Sequence, residues 1–560
     1  MRTLVFVLLI LFLVSHQSHV PVSAKVFLSI DCGSSSSDPH TDIRSIVWVG
    51  DNQYVKTGVA RNVIAKDIPD GWDSHVMSTL REFPTRKKNC YSLDVNEDST
   101  KVERVLVRAS FYYNNYDNKS SPPNFQLQFN GNFWENVETS MTEIVYKEVV
   151  YSLNRGNTIT ICLSQTWRDL SPFISALEVR SLDSDIYGYV DSNHPLMFMR
   201  RETYGSDTIV RYPEDDWDRI WEPIGPLANI SDGDVIRVKN TSPSFKVDIA
   251  DKVPEALFTT TLMRKNISRP LWISGNIGSP QLPRHFNAYF SEVIKLNSTQ
   301  KRLFNILVFT YDDGNGNETL REYGPIIPPY GHALQVGITN VSVDSYRKYE
   351  IDLYAADDSN LPPLINALEE YVIGDKLVQG TNSKDVNSLA LLQKSFIQLQ
   401  DWLGDPCLPS PYTWDWVECD SNTDSPRVTA LYLNDSGLVG ILPDFSAMNA
   451  LRFIDLHNNS LTQTIPDFLG TFPNLVVLNL EDNNFSGAIP SSIWNNTSLK
   501  LMASGNPNLS INNKTSGDRN STEPRIPSSS NKKNSIELTI PIIILGSAII
   551  QTLDNIFGMN

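Results

Sequence analysis

The chain has 560 residues, only five of them cysteine, and a formal net charge of -17. An acidic excess of that size argues against a nucleic-acid binder and against general docking on an anionic membrane surface. Hydrophobic residues make up 41% of the sequence, enough for folded cores, and the length accommodates roughly three or four domains.

Met1 and Arg2 precede an apolar run, Leu4 to Val14, and the small-residue pattern Val22, Ser23, Ala24. Residues 1–24 therefore read as a secretory signal peptide, too short to span a bilayer, with the mature chain starting near Lys25. N-x-S/T sequons agree with that compartment: Asn118, Asn229, Asn240, Asn266, Asn297, Asn317, Asn340, Asn434, Asn458, Asn484, Asn495, Asn508, Asn513 and Asn520. They spread over every segment and predict an extracellular, sugar-coated surface. Five cysteines are few for a secreted chain of this length, so large cores rather than staples carry its stability.

Residues 25–374 show strand-like alternation, as in 105–113, 125–129 and 304–311, punctuated by Gly, Pro and Asn/Asp turns. An internal echo runs through this region. Ser171 to Glu178 resembles Pro362 to Glu369, and the pair Ala109 to Phe111 and Phe125 to Phe129 resembles Ala288 to Phe290 and Phe304 to Val308. The offset is roughly 180–190 residues, about one domain. Two tandem β-sandwich modules are expected, 25–190 and 191–374, with the joint near 184–200.

Residues 383–426 begin with an amphipathic helix. Leu389, Leu392, Phe396, Leu399 and Leu403 recur at helical spacing, and Pro406 is expected to stop it. Cys407 and Cys419 flank Tyr412, Trp414 and Trp416 and read as a disulfide closing the open end of a repeat stack at 427–510. Cys32, Cys90 and Cys162 remain, an odd set that allows at most one pair, which the sequence does not specify.

Residues 427–510 repeat one phrase at a period of about 23–24 residues. Its apolar anchors are Leu431, Leu433 and Leu438, then Ile454, Leu456 and Leu461, then Leu478, Leu480 and Phe485. Ser436, Asn459 and Asn483 hold the polar position, and Leu-Pro or Ile-Pro closes each unit. The period is that of a leucine-rich repeat, and the Ile-Pro endings resemble the plant extracellular subtype, with Gln463 at the place where the other units have Gly440 and Gly487. A single unit leaves an apolar edge uncovered, so units stack and expose an extended strand face. Asp455, His457, Asn479, Glu481 and Asp482 fall on that face, suited to a peptide or a co-receptor. Residues 511–537 are polar and Ser/Asn-rich, a stalk. The apolar run beginning at Leu538, within 538–553, is shorter than the roughly 20 residues a span needs. It reads as a truncated or marginal transmembrane segment, a lipid-anchor signal, or a degenerate end; we favour the first.

The motifs IDCG at Ile30 to Gly33, REFP and NCYSL within 81–93, FYYNNYD at 111–117, ICL at 161–163, FISALEVRSL at 173–182 and RYPEDDWDRIWEP at 211–223 resemble the malectin-like ectodomain of plant receptor kinases. Gly404, Asp405, Pro406 and Cys407, followed by Trp414, Asp415 and Trp416, are similar to the junction motif of the group that includes the symbiosis receptor kinase. The resemblance implies a mainly β chain: two tandem malectin-like β-sandwiches, then a short leucine-rich repeat solenoid (α/β) with an N-terminal helical cap. It further implies a single membrane span and, in family members, an intracellular kinase. No Gly-rich loop, HRD or DFG motif occurs before Asn560, so this chain is not expected to be an enzyme. The family usually follows SGNPNL with Cys, where this chain has Ser510.

Candidate chemistry is weighed against plainer roles. Glu214, Asp215, Asp216 and Asp218 around Trp217 and Trp221 invite comparison with glycosidase carboxylates. Those flank a cleft at set separation, so a structural connector with Arg219 pairing locally is the better expectation. Asp313, Asn315 and Asn317 begin like a calcium loop, but Glu318 and Gly324 occupy its key positions, which predicts a glycosylated turn. His40, His75, His194, His285, His332 and His457 are scattered without metal-ligand spacing, so neither metal nor cofactor is expected. Tyr112, Tyr113, Tyr116, Phe133 and Trp134 cluster in sequence and suit either a carbohydrate platform or an interdomain core. The expected partners are therefore a co-receptor or receptor-kinase ectodomain, with a carbohydrate or peptide ligand, at the external face of the plasma membrane or in the apoplast. A secreted lectin-like module or decoy is the alternative.

Overall fold

The computed structural model describes residues 26–510, apart from 37, 67, 96–101, 154–155, 226–233, 277–281, 312–317, 342–347 and 421–424. Period-two alternation builds its cores. Strand Asn124–Phe129 sends Phe125, Leu127 and Phe129 inward, each at most 1% exposed, and strand Phe304–Tyr311 does the same with Phe304, Ile306 and Val308.

An eleven-stranded sheet runs through this part of the chain. From one edge its order is His40–Thr41, Val47–Gly50, Phe27–Asp31, Ala176–Leu182, Arg104–Phe111 and Val145–Ser152, continuing into Leu196–Thr203, Ala367–Ile373, Arg284–Phe290 and Leu334–Val341, with Glu222–Pro223 as the eleventh strand, paired with Leu196–Thr203 off this path. Two four-stranded sheets accompany it. The first is ordered Lys88–Asp94, Thr158–Gln165, Asn124–Phe129, Asn132–Glu138, and the second Leu271–Asn276, Lys348–Ala355, Phe304–Tyr311, Glu318–Ile326. The same strand order thus occurs twice, and the segments that echo one another in sequence occupy equivalent places. Val107, Ala109, Leu127 and Ile161 share one core; Phe286, Ala288, Ile306 and Ile351 share another. The two halves of the long sheet meet where Val149 and Val150 pair with Met197 and Leu196. That pairing covers two strand edges that would otherwise present unpaired backbone groups.

Cys90 and Cys162 stand opposite each other on adjacent antiparallel strands and form a disulfide; Cys32 remains a buried free thiol. Strand register, absent from a linear reading, decides the pairing.

The C-terminal part stacks parallel strands Val428–Tyr432, Phe453–Asp455, Val477–Asn479 and Lys500–Met502, with Val417–Cys419 antiparallel at one end. Side-chain amides tie the turns together. Asn459 accepts from Leu438 N and donates to Leu433 O, while Asn483 accepts from Leu461 N and donates to Leu456 O. Asn506 continues the ladder, accepting from Phe485 N and donating to Leu480 O.

Helix Ser383–Ser395 starts at Asn382, whose side chain accepts from Lys384 N. Leu389, Leu392, Phe396 and Leu399 join the core of the repeats. The expected stop at Pro406 is corrected: the helix ends at Ser395, where Phe396 turns extended to bury its ring, and a 3-10 turn, Ile397–Leu399, comes next. Gln393 holds that reversal by donating to the carbonyls of Leu399 and Trp402. No helix among the described residues is long and apolar enough to cross a membrane. The signal-peptide, stalk and tail segments, Asn229, Asn317, Asn513, Asn520 and the Asp313 turn lie outside the described residues.

Candidate functional site

Strand register brings the repeat-face residues together. Tyr432, Asp455, Asn479 and Met502 stand side by side on successive parallel strands. One turn further on, His457 Nδ1 lies 2.7 Å from Asp455 Oδ1, and its Nε2 lies 3.8 Å from Asp435 Oδ2. The hydrogen bond to Asp455 raises the His457 pKa above its ordinary value. Asn479 is largely buried and reaches the same imidazole at 3.3 Å, while Glu481 accepts from Ser504. Beside this row opens a groove of about 940 Å³ whose lining includes Thr429, Phe453 and Val476 between Glu418, Arg427 and Arg452. Its lining mixes charged, polar and apolar side chains.

The junction motif has a mechanical explanation. Gly404 adopts φ +78°, and a Cβ there would fall 2.6 Å from Cys90 Sγ and 2.8 Å from Cys162 Sγ. Its neighbour Asp405 accepts from the backbone amides of Thr381, Cys407 and Leu408. From strand Lys88–Asp94, the Lys88 ammonium donates to the carbonyls of Asp405 (2.6 Å) and Leu408 (3.1 Å), and burial lowers its pKa to about 8. Arg86 lies over the Trp402 ring at 4.2 Å and donates to Asp401 O. The junction therefore packs on the first half of the β region. Cys407 and Cys419 form a disulfide, with Trp414 and Trp416 in the adjoining core.

The aromatic cluster lies elsewhere than its platform reading requires. Tyr112, Tyr113 and Trp134 are at most 2% exposed within the first β core, and Tyr116 is half-buried against it. They are not an interdomain core either: Phe111, Phe125 and Phe173 surround them within one half. Of the cluster, Phe133 is exposed.

The acidic motif at 214–218 is absorbed by guanidinium groups. Asp215 accepts from Arg219 Nε at 2.9 Å and from Trp221 Nε1 at 3.0 Å. Asp218, fully buried, faces Arg211, Arg180 and Arg108. Burial works to raise its pKa, but those three cations outweigh it and hold the carboxyl well below the ordinary range. Arg108 also reaches Glu148 and Glu178, and Arg201 links Glu148 to Glu369 across the joined sheet. Sequence reading missed Arg108, Arg180 and Arg201; charged residues set among apolar ones inside strands were the available signal. It also kept His40 and His75 apart, whereas their rings lie 4.2 Å from each other beside Asp31. That is a correction to the absence of metal-ligand grouping. Among described sequons, Asn118, Asn266, Asn297, Asn340, Asn458, Asn484, Asn495 and Asn508 are exposed, and Asn240 and Asn434 half-buried.

Fold and repeat together define a two-part β-sheet region followed by a stack of leucine-rich repeats. The extracellular domain of ANXUR1 from Arabidopsis thaliana superimposes with a TM-score of 0.50 at 17% identity, over 62% of this chain and 97% of that one. The plant receptor-like kinase ANX2 gives 0.52 at 17% identity over the same share of each chain. A complex of the plant peptide RALF23 with FER and LLG2 gives 0.50 at 15% identity, over 63% of this chain and 96% of that one. At these identities the likeness speaks for the fold. The malectin-like domain family matches residues 30–373, and leucine-rich repeats match 450–472 and 474–496. In sequence, a "probable LRR receptor-like serine/threonine-protein kinase" of Arabidopsis thaliana is 34% identical over 76% of this chain and 48% of its own length. An "uncharacterized protein" of the same plant is 33% identical over 65% of this chain and 68% of its own. The chain belongs to the plant malectin-like, leucine-rich repeat receptor-like kinase family. It spans about half the length of the kinase relative.

Proposed function

We propose that the chain is an extracellular receptor-like protein that binds a peptide or a co-receptor ectodomain through its repeat face and signals through a partner kinase. The carrying observation is the aligned row Tyr432, Asp455 and Asn479, extended by His457 and Glu481 and bordered by the groove. In this reading, residues 25–190 and 191–374 are two sandwich modules that act as the mount, helix Ser383–Ser395 caps the repeats, and Lys88 and Gly404 fix their orientation. The same reading includes a signal peptide, glycans at the exposed sequons and a C-terminal membrane segment, with that face outside the cell. The similarity in fold to FER in its complex with RALF23 and LLG2 supports a ligand-and-co-receptor mode. The lectin-like alternative loses its platform, because Tyr112, Tyr113 and Trp134 are core residues.

A photo-crosslinking amino acid placed at Asp455 in the chain expressed in plant cells tests the reading, with one at exposed Asn297 as control. Crosslinks to a receptor-kinase ectodomain from position 455 alone are the expected result, and they disappear in Glu481→Arg. Equal crosslinking from both positions, or capture unaffected by Glu481→Arg, overturns it.

A further inference from the structure

At one end of the long sheet three segments far apart in sequence bring metal-binding side chains together. Asp31 ends strand Phe27–Asp31, His40 opens strand His40–Thr41, and His75 lies in the turn that precedes Thr79–Glu82. One donor atom from each lies within 4.8 Å of the other two. His75 Nδ1 is 3.6 Å from Asp31 Oδ2, beyond hydrogen-bond range. The ligand atoms of a tetrahedral zinc with bonds near 2.0–2.1 Å stand about 3.3 Å apart. The group is thus within a small side-chain adjustment of coordination.

Two further observations distinguish it from an ordinary ion pair. Asp31 is 1% exposed, yet its Oδ2 has no hydrogen-bond partner among the described residues, and neither does the buried Nε2 of His40. Such orphaned atoms are costly unless a partner fills the space between them. The other oxygen is already committed: Thr79 Oγ1 donates to Asp31 Oδ1 at 2.8 Å, which turns Oδ2 toward the imidazoles. His75 is held in place by the Asp73 carboxylate, which accepts from its backbone amide at 2.8 Å. The Thr79 contact is the kind of second hydrogen bond that orients a ligating carboxylate.

We infer that Asp31, His40 and His75 form a site for a divalent transition-metal ion of the zinc type. Two imidazoles and one carboxylate are the donor set of zinc, copper or nickel, whereas calcium and magnesium require oxygen ligands throughout. The His75 side chain is 59% exposed, so the three protein ligands leave a coordination position open to water or to a ligand from outside. Bound metal ties the end of Phe27–Asp31 to the His40–Thr41 edge and to the turn at His75.

The test uses the full chain with a histidine-free affinity tag, stripped by a chelator and titrated with zinc chloride by calorimetry and with cobalt chloride by visible absorption. The expected result is one equivalent of zinc bound at this site, ligand-field bands with cobalt, and a raised melting temperature with zinc. Affinity falls about tenfold or more in His75→Gln and in His40→Gln. His75 is exposed, so His75→Gln leaves the fold intact, as circular dichroism checks. Equal zinc affinity and stoichiometry in the wild type and His75→Gln, or displacement of zinc by equimolar calcium, overturns the inference. So does absence of zinc binding, which leaves a plain Asp31–His75 ion pair.

Discussion

Two side chains illustrate how much a single position can carry here. Gly404 needs its positive φ and has no room for a methyl group against the Cys90–Cys162 disulfide. The sulfurs are fixed across two strands and cannot yield, so Gly404→Ala is expected to destabilise the junction by about 2 kcal/mol or more. Limited proteolysis between 374 and 404 should accelerate, while the secondary structure measured by circular dichroism stays unchanged. Asp218 presents the electrostatic counterpart. Removing its charge leaves Arg108, Arg180 and Arg211 to share Glu178, with Glu148 on Arg108, in a buried setting where breaking a charge network costs about 3–5 kcal/mol. Asp218→Asn should therefore shift the chemical-denaturation midpoint strongly, whereas exposed Glu214→Gln should remain within about 0.5 kcal/mol of the parent. Comparable losses from both substitutions would refute a structural role specific to Asp218.

At the scale of elements, legibility follows periodicity. Apolar residues at every second position located the strands, and those at three- and four-residue spacing located helix Ser383–Ser395, because each pattern reflects local geometry. The helix end was misplaced because Phe396 and Gln393 terminate it through tertiary contacts that no local signal encodes. The repeat face was legible for a related reason: stacking puts equivalent positions in register, so Asp455 and Asn479 become neighbours automatically. The histidine group was not, since His40 and His75 meet only after three segments converge. The amide ladder offers a direct test at this scale. Asn483→Ala leaves Leu461 N and Leu456 O without the partner that bridges adjacent units. A loss of about 1–3 kcal/mol is expected. It should appear as faster hydrogen exchange in the repeats on both sides of the site, with strands 104–111 and 284–290 unaffected.

For the described molecule as a whole, the contacts between the repeat block and the β region include a polar one built on Lys88 and Arg86. Lys88 is central to it: its ammonium is buried, donates to the carbonyls of Asp405 and Leu408, and has its pKa lowered to about 8. Burial disfavours the charged form, and the Asp405 and Asp415 carboxylates offset that only in part. Between about pH 8 and the ordinary lysine value near 10.5, the unfolded chain holds a proton that the folded chain has released. Stability from this group must therefore increase as pH rises through that window, opposite to what an exposed lysine in an ion pair would give. Comparison with Lys88→Met isolates it. The variant loses the two carbonyl bonds and is less tightly docked, but it should lack the upward slope above pH 8. Thermal unfolding measured from pH 7.5 to 10.5 reads the difference. Parallel pH curves for the parent and Lys88→Met would show that the ammonium is solvated and that the junction does not depend on its burial.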